Sequence, residues 1–299
     1  MNKWMKTYGM MMAGMLMACS AGAEELVFFQ SSVAGADAWS WGGAKAKQEA
    51  DLLTVVENNP NGGYGDVYPS DVLPYIPGAR LEFNVSSVVA GNYTLQILCF
   101  RGSVYFKTID VIKDSKKVGA QVLKMSDLTL PPETQSIMFK LWVANSEGAS
   151  LKLKELKYSM PLAAGSLSID ERFKNIDAWK ATDLEAVAND AGISLAMSPD
   201  KTFGCLAWEK TIPADKQSFI LIHIAEAKSS VISVQLETLD GEGQFIMPVD
   251  AIKDVGAGWH GAALSMLELS AETTQYQIKL WMAGGTAAKG RIDRLLILK

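Results

Sequence analysis

Histidine and cysteine are scarce in this chain, with two of the first and three of the second in 299 residues. That leaves little room for histidine-based metal sites or Ser-His-Asp catalysis. It also excludes a disulfide scaffold. Positive charge is not in surplus: 28 Lys and Arg stand against 33 Asp and Glu. A general nucleic-acid binder needs clustered cations, so that class is excluded. Beyond the first residues no stretch is apolar enough to span a bilayer. No glycine-rich phosphate loop, Gly-x-Ser-x-Gly elbow or Cys-x-x-Cys pair occurs. What is present is an apolar share of 48%, which excludes a mainly disordered chain. The length suits two domains.

The first segment reads as an export signal and stands outside the fold. Lys3 and Lys6 precede an apolar stretch, residues 7–18, that is too short for a membrane span. Two exits are open. Ala21-Gly22-Ala23 is a small-x-small site with cleavage before Glu24. Leu16-Met17-Ala18-Cys19 resembles a bacterial lipobox and would make Cys19 a lipidated first residue. Met17 is unusual at its position and favours plain secretion. Either exit carries the chain out of the cytoplasm, to the periplasm, the outer-membrane surface or the medium. Removing residues 1–18 takes away two lysines and no acid, so the mature chain is more acidic. An oxidising compartment permits a Cys99–Cys205 bridge, but two buried free thiols are the favoured reading.

The remainder is one unit written twice. Asp37-Ala38-Trp39 recurs as Asp177-Ala178-Trp179, 140 residues on. The run Ile109-Asp110-Val111-Ile112-Lys113-Asp114 recurs as Val249-Asp250-Ala251-Ile252-Lys253-Asp254 at the same offset. Lys140-Leu141-Trp142 recurs as Lys279-Leu280-Trp281 at 139. A nearly constant offset predicts homologous units at 24–160 and 166–299, joined by a linker at 161–165. Strands alternate with Gly and Pro turns every 10–15 residues; a short helix is an open possibility at 184–189, but no long helical period appears. The fold class is therefore all-β, with two tandem antiparallel β-sandwiches of jelly-roll type following the signal.

Leu81-Glu82-Phe83-Asn84-Val85, followed by Ala90-Gly91-Asn92-Tyr93-Thr94-Leu95-Gln96-Ile97, resembles the central hairpin of galactose-binding-like β-sandwiches. Phe139-Lys140-Leu141-Trp142 and the strand at 151–158 fit the same order. That group includes many carbohydrate-binding modules. The second unit departs from it, with Ala227-Lys228-Ser229-Ser230 at the hairpin turn. The resemblance implies a binding module, usually non-catalytic, attached to cell-surface or polysaccharide biology. It carries no ligand motif, so it assigns no residue.

Alternation places Trp142 with Met138 and Lys140, and Trp281 with Gln277 and Lys279, opposite the core face. An indole on the solvent side of a sheet suits the apolar C–H faces of sugar rings. The plainer alternative, slightly favoured, is that a loop or the partner domain covers each indole. Trp39 and Trp179 read as core or edge plugs, whereas Trp41 has no counterpart in the second unit. Tyr64, Tyr68 and Tyr75 sit in a Gly- and Pro-rich loop, where recognition residues concentrate on rigid scaffolds. Trp208 occupies the equivalent loop of the second unit. Trp259 with His260 completes the candidate ligand-binding set. Glu57, Asn59, Asn61 and Asp66 supply oxygens for a weak calcium candidate, although turn formation explains the asparagines as well. No other cofactor is expected. The Asp-x-x-Lys-Asp runs read as strand-to-turn surface with local ion pairs.

Together these features lead to an exported, non-catalytic protein that binds carbohydrate or another extracellular polymer. Two alternatives stay open: a structural or protein-interaction component of the envelope, and a polysaccharide hydrolase or lyase, for which no carboxylate pair is singled out. Oligomeric state is left open.

Overall fold

The computed structural model describes residues 24–31, 39–49, 52–59, 63–144, 148–163 and 165–299. The leader with Cys19, the motif residues Asp37 and Ala38, and Asn61 lie outside the described residues.

The first half forms β1 (Glu25–Gln30), β2 (Trp39–Gly42), β3 (Ala44–Glu49), β4 (Leu52–Glu57), β5 (Tyr64–Pro69) and β6 (Leu73–Pro74). It continues with β7 (Arg80–Val89), β8 (Asn92–Arg101), β9 (Val104–Ser115), β10 (Gly119–Lys124), β11 (Ser136–Ala144) and β12 (Ser150–Pro161). These build two antiparallel sheets. One runs β10-β7-β12-β4-β3 with β1 added along β12, and the other β2-β5-β11-β8-β9 with β6 on β11. Period-2 patterning makes them: in β11, Ile137, Phe139, Leu141 and Val143 are buried, while the residues between them are half-exposed.

The second half forms β13 (Leu167–Glu171), β14 (Trp179–Thr182), β15 (Leu184–Asn189), β16 (Gly192–Met197), β17 (Phe203–Trp208) and β18 (Ile212–Pro213). The long β19 (Phe219–Leu239), β20 (Phe245–Val255), β21 (Gly258–Ala263) and the long β22 (Gln275–Leu298) complete it. Each long strand serves both layers. Residues 219–228 of β19 pair with β21 and the end of β22, and residues 230–239 pair with β20 and the start of β22. Ser229, between them, has φ 52°, as Ala90 has φ 50° between β7 and β8. With that division the orders become β21-β19-β22-β16-β15 and β14-β17-β22-β19-β20, the same as in the first half. The fold is all-β, built of antiparallel β-sandwiches.

Local expectations differ in two places. The Gly- and Pro-rich stretch read as a loop around Tyr64 and Tyr68 is strand β5, held between β2 and β11, and its second-half equivalent ending at Trp208 is strand β17 on β22. Residues 184–189, open to a short helix by composition, form β15 on β16. Only Leu184 of the stretch is buried, and the backbone groups of β16 offer a partner that an isolated single turn of helix lacks.

Two apolar clusters fill the sandwiches. The first extends into the second half, taking in Leu221, Leu296 and Leu298 with Trp259 against it. The Trp259 ring meets Phe28 edge-on at 5.4 Å. Beside this seam Arg294 bonds Asp170 at 3.0 Å and Glu24 at 2.7 Å, tying the start of β1 to the second half. Cys99 and Cys205 are buried free thiols. Among the described residues no helix is long and apolar enough to cross a membrane.

Candidate functional site

The solvent face of the β2-β5-β11-β8-β9 sheet gathers side chains from four strands. Trp142 on β11 stands between Asp66 of β5 and Thr94 of β8. Lys140, two residues back on the same face, stands opposite Gln96, and Gln96 opposite Asp110 of β9. The indole Nε1–H of Trp142 donates to Gln96 Oε1, and Gln96 Nε2 donates to Asp110 Oδ1 at 2.7 Å. An amide caught at both ends cannot flip, so the indole is fixed in one orientation. Lys140 forms an ion pair with Asp66, and its ammonium lies 4.3 Å from the Trp142 ring centre and 5.5 Å from that of Tyr68. Tyr64, half-exposed at 52%, meets Trp142 edge-on at 4.8 Å.

The second half repeats the arrangement. Trp281 Nε1 donates to Gln235 Oε1 at 3.1 Å, and Gln235 Nε2 donates to Asp250 Oδ1 at 3.0 Å. Phe203, 60% exposed, takes the place of Tyr64 and lies 6.4 Å from the indole. Lys279 follows Lys140, but its ion-pair partner is Glu237 of β19. Cys205 and Ala207 stand where the first half has Asp66 and Tyr68. Burial pushes the Cys205 thiol up to about 11, outweighing Lys279, so it is neutral at physiological pH.

Of the candidates named from sequence, Trp142, Tyr64, Tyr68 and Asp66 come together on one face and Trp281 on its counterpart. The others lie elsewhere. Trp41 pairs with Val67, on the core side of an edge strand, and is 50% exposed there. Tyr75 packs against the first core, and burial raises its hydroxyl. Trp208 is 5% exposed and stacks on Trp179 at 5.2 Å. Trp259 belongs to the seam, and its ring also lies 4.8 Å from that of His223. His260 bonds the Gly256 carbonyl oxygen and is held below its ordinary range chiefly by burial. Glu57 accepts from the Asn59 and Gly148 amides, and Asp66 is taken by Lys140. Among the described residues no group of three or more His, Cys, Asp or Glu is placed to hold a metal ion.

The glutamines were missed from sequence. Their signal was available: Gln96 and Gln235 sit 139 residues apart at non-core positions of paired strands. The Asp-x-x-Lys-Asp runs acquire a use, because their first Asp holds the glutamine. Among the described residues, the ordinary ion pair expected there is found between Lys253 and Asp250 at 3.7 Å.

No family model matches this chain, and no curated protein does. Solved structures similar to it include the CBM22-1–CBM22-2 tandem of Paenibacillus barcinonensis Xyn10C. That match has 13% identity and a TM-score of 0.31, covering 93% of this chain and 99% of that one. A structure of carbohydrate-binding modules of the β-sandwich superfamily matches at 10% identity and TM-score 0.27, covering 87% and 94%. The infectious bursal disease virus VP2 subviral particle matches at 11% and 0.27, covering 92% and 72%. At these TM-scores the likeness assigns neither a ligand nor a residue.

Proposed function

We propose that this chain binds carbohydrate, as part of an extracellular polysaccharide or glycan, on the solvent faces that carry Trp142 and Trp281, and that it does so without catalysis. The observation that supports this is the duplication of one costly arrangement. A large apolar ring is held on the water side of a sheet by a Trp–Gln–Asp chain in both halves. Core packing does not require it, because those positions alternate away from the core. A fixed indole loses little freedom when a ring stacks on it, and neighbouring amide, carboxylate and ammonium groups offer partners for sugar hydroxyls. The carboxylates on each face are engaged by lysine or glutamine, which favours binding over acid–base chemistry. The export-signal reading of residues 1–23, or of residues 1–18 before a lipidated Cys19, is in keeping with an activity outside the cytoplasm.

The test is affinity electrophoresis and calorimetry against a panel of soluble xylan, β-glucan, galactomannan and pectin. Binding is expected, and Trp142→Ala with Trp281→Ala together should abolish it while circular dichroism stays unchanged. Unaltered binding by that double variant, or no binding to any carbohydrate by the parent chain, overturns the reading.

A further inference from the structure

The two faces share a plan but differ in what lies on the indole. In the first half the ammonium of Lys140 sits over the Trp142 ring, 4.3 Å from its centre, with Tyr68 also within reach. Asp66, directly across from Trp142 and only 6% exposed, anchors that ammonium. Tyr64 closes from the β5 side. The cation thus occupies an aromatic enclosure with its own counter-ion, an arrangement that attracts through both charge and ring quadrupole.

In the second half each of these closing elements is changed. Cys205 replaces the anchoring carboxylate and Ala207 replaces the second ring. The carboxylate that Lys279 uses, Glu237, lies on β19, where the first half has Leu98. Lys279 is therefore drawn to the strand on the other side of β22 from Cys205 and Ala207. Phe203 stands tilted by 44° at 6.4 Å, farther off than Tyr64 from its indole. The charges around Trp281 are also spent: Lys279 on Glu237, and Asp250 on Gln235 and Lys253. An anionic ligand finds its cation taken, and a cationic one finds its carboxylates taken.

We infer that the two sites are unequal: the Trp281 face is open and takes an uncharged sugar ring readily, whereas the Trp142 face is covered by its own Lys140 and takes one only weakly. This rests on the carbohydrate reading for the ligand but not for the difference in access. A ligand at Trp142 has to displace an ion-paired ammonium first, and that cost is absent at Trp281.

Two measurements test it on the mature chain. In the first, neutral polysaccharides of the same panel, xylan, β-glucan and galactomannan, are titrated against single variants. Trp281→Ala should weaken binding about tenfold or more, equivalent to roughly 1.4 kcal/mol, while Trp142→Ala changes it less than about twofold. Adding Lys140→Met with Asp66→Asn to the Trp281→Ala chain leaves no carboxylate unpaired and should restore binding through the uncovered Trp142. Equal losses for the two tryptophans, or no restoration, overturn the inference. In the second, N-bromosuccinimide oxidation of the unliganded protein is mapped by mass spectrometry. Trp281 should react before Trp142, and Lys140→Met with Asp66→Asn should speed Trp142 alone. Equal rates in the parent chain overturn the inference. If the chain binds no carbohydrate, the functional reading fails and the oxidation order alone decides the difference in access.

Discussion

Asp250 and Asp110 act on the indoles through one intervening amide, so their effect on a ligand is a matter of pre-organisation. Fixing a rotamer-rich side chain on binding costs about 0.5–1.5 kcal/mol. Releasing Gln235 by Asp250→Ala should therefore weaken binding roughly two- to tenfold. Asp250→Asn keeps an acceptor oxygen at the same place and should largely rescue it. The indole Nε1–H resonance of Trp281 in a 15N spectrum is the ligand-free readout: it should shift in the Ala variant and stay near its place in the Asn variant. An unshifted resonance in Asp250→Ala would show that the relay does not hold the ring. The off-core facing of Trp142 and Trp281 was legible in the sequence because alternation alone decides which face a strand residue takes. Trp208 and His260 were not, since loop-like composition says nothing about whether a ring stacks inward, as Trp208 does on Trp179. The glutamines illustrate a third case. An amide shows its purpose only once cross-strand register sets it beside an indole.

At the scale of elements, the shifting offset between the repeats lies in the turns and not in the strands. Phe100 corresponds to Leu239 at 139, but Tyr105 corresponds to Phe245 at 140, because the β19–β20 turn holds one more residue than the β8–β9 turn. The offset returns to 139 at Gly119 and Gly258, since the next connection is one residue shorter in the second half. Bulges recur as well: both hairpins slip register next to the glutamine. That is why the repeat was readable over a hundred residues while β15 was open to helix. Its Ala and Glu content carries little β-preference, and pairing with β16 decides it. Left-handed positions also recur, among them Ala90 with Ser229 and Asp114 with Asp254. Asp114 and Asp254 are helped by hydroxyls of Thr94 and Ser233 that meet their amides at 3.1 and 2.9 Å. Ala90 has only a methyl to place at φ 50°, which costs an L-residue about 1–2 kcal/mol. Ala90→Gly removes that cost against a smaller loss of unfolded-chain constraint. It should stabilise the protein by up to about 1 kcal/mol, read as a higher urea midpoint with an unchanged slope.

Across the whole molecule the two sandwiches meet along an apolar seam flanked by an ion cluster. Arg294 holds the Glu24 carboxyl below its ordinary range through a hydrogen bond and charge that outweigh its desolvation. Burial pushes Asp170 upward, but bonds and charge from Arg294 and then Arg172 overcome it and hold it low. Glu25 is held low by Lys157, with Ser159 and Arg80 adding bonds. Carboxylates depressed in the folded state contribute stability that is present above their unfolded pKa and lost as pH falls through the folded value. The Glu24 tie across the seam, and the Asp170 and Glu25 pairs within their own halves, should therefore weaken as pH drops through and below about 4, the ordinary carboxylate region. They should gain nothing from raising pH above neutrality. Arg294→Leu should flatten that acid dependence. The apolar half of the seam is tested by Trp259→Ala, which removes the ring packed on Phe28 and His223. Large-to-small substitution of a well-packed aromatic costs about 3–5 kcal/mol when fully buried, and Trp259 is half-buried, so about 2–3 kcal/mol is expected. Because the loss falls between the halves, calorimetry should also change character. One transition in the parent chain should resolve into two in the variant, each half unfolding on its own core. A single lowered transition would mean that the halves are coupled by something other than this seam.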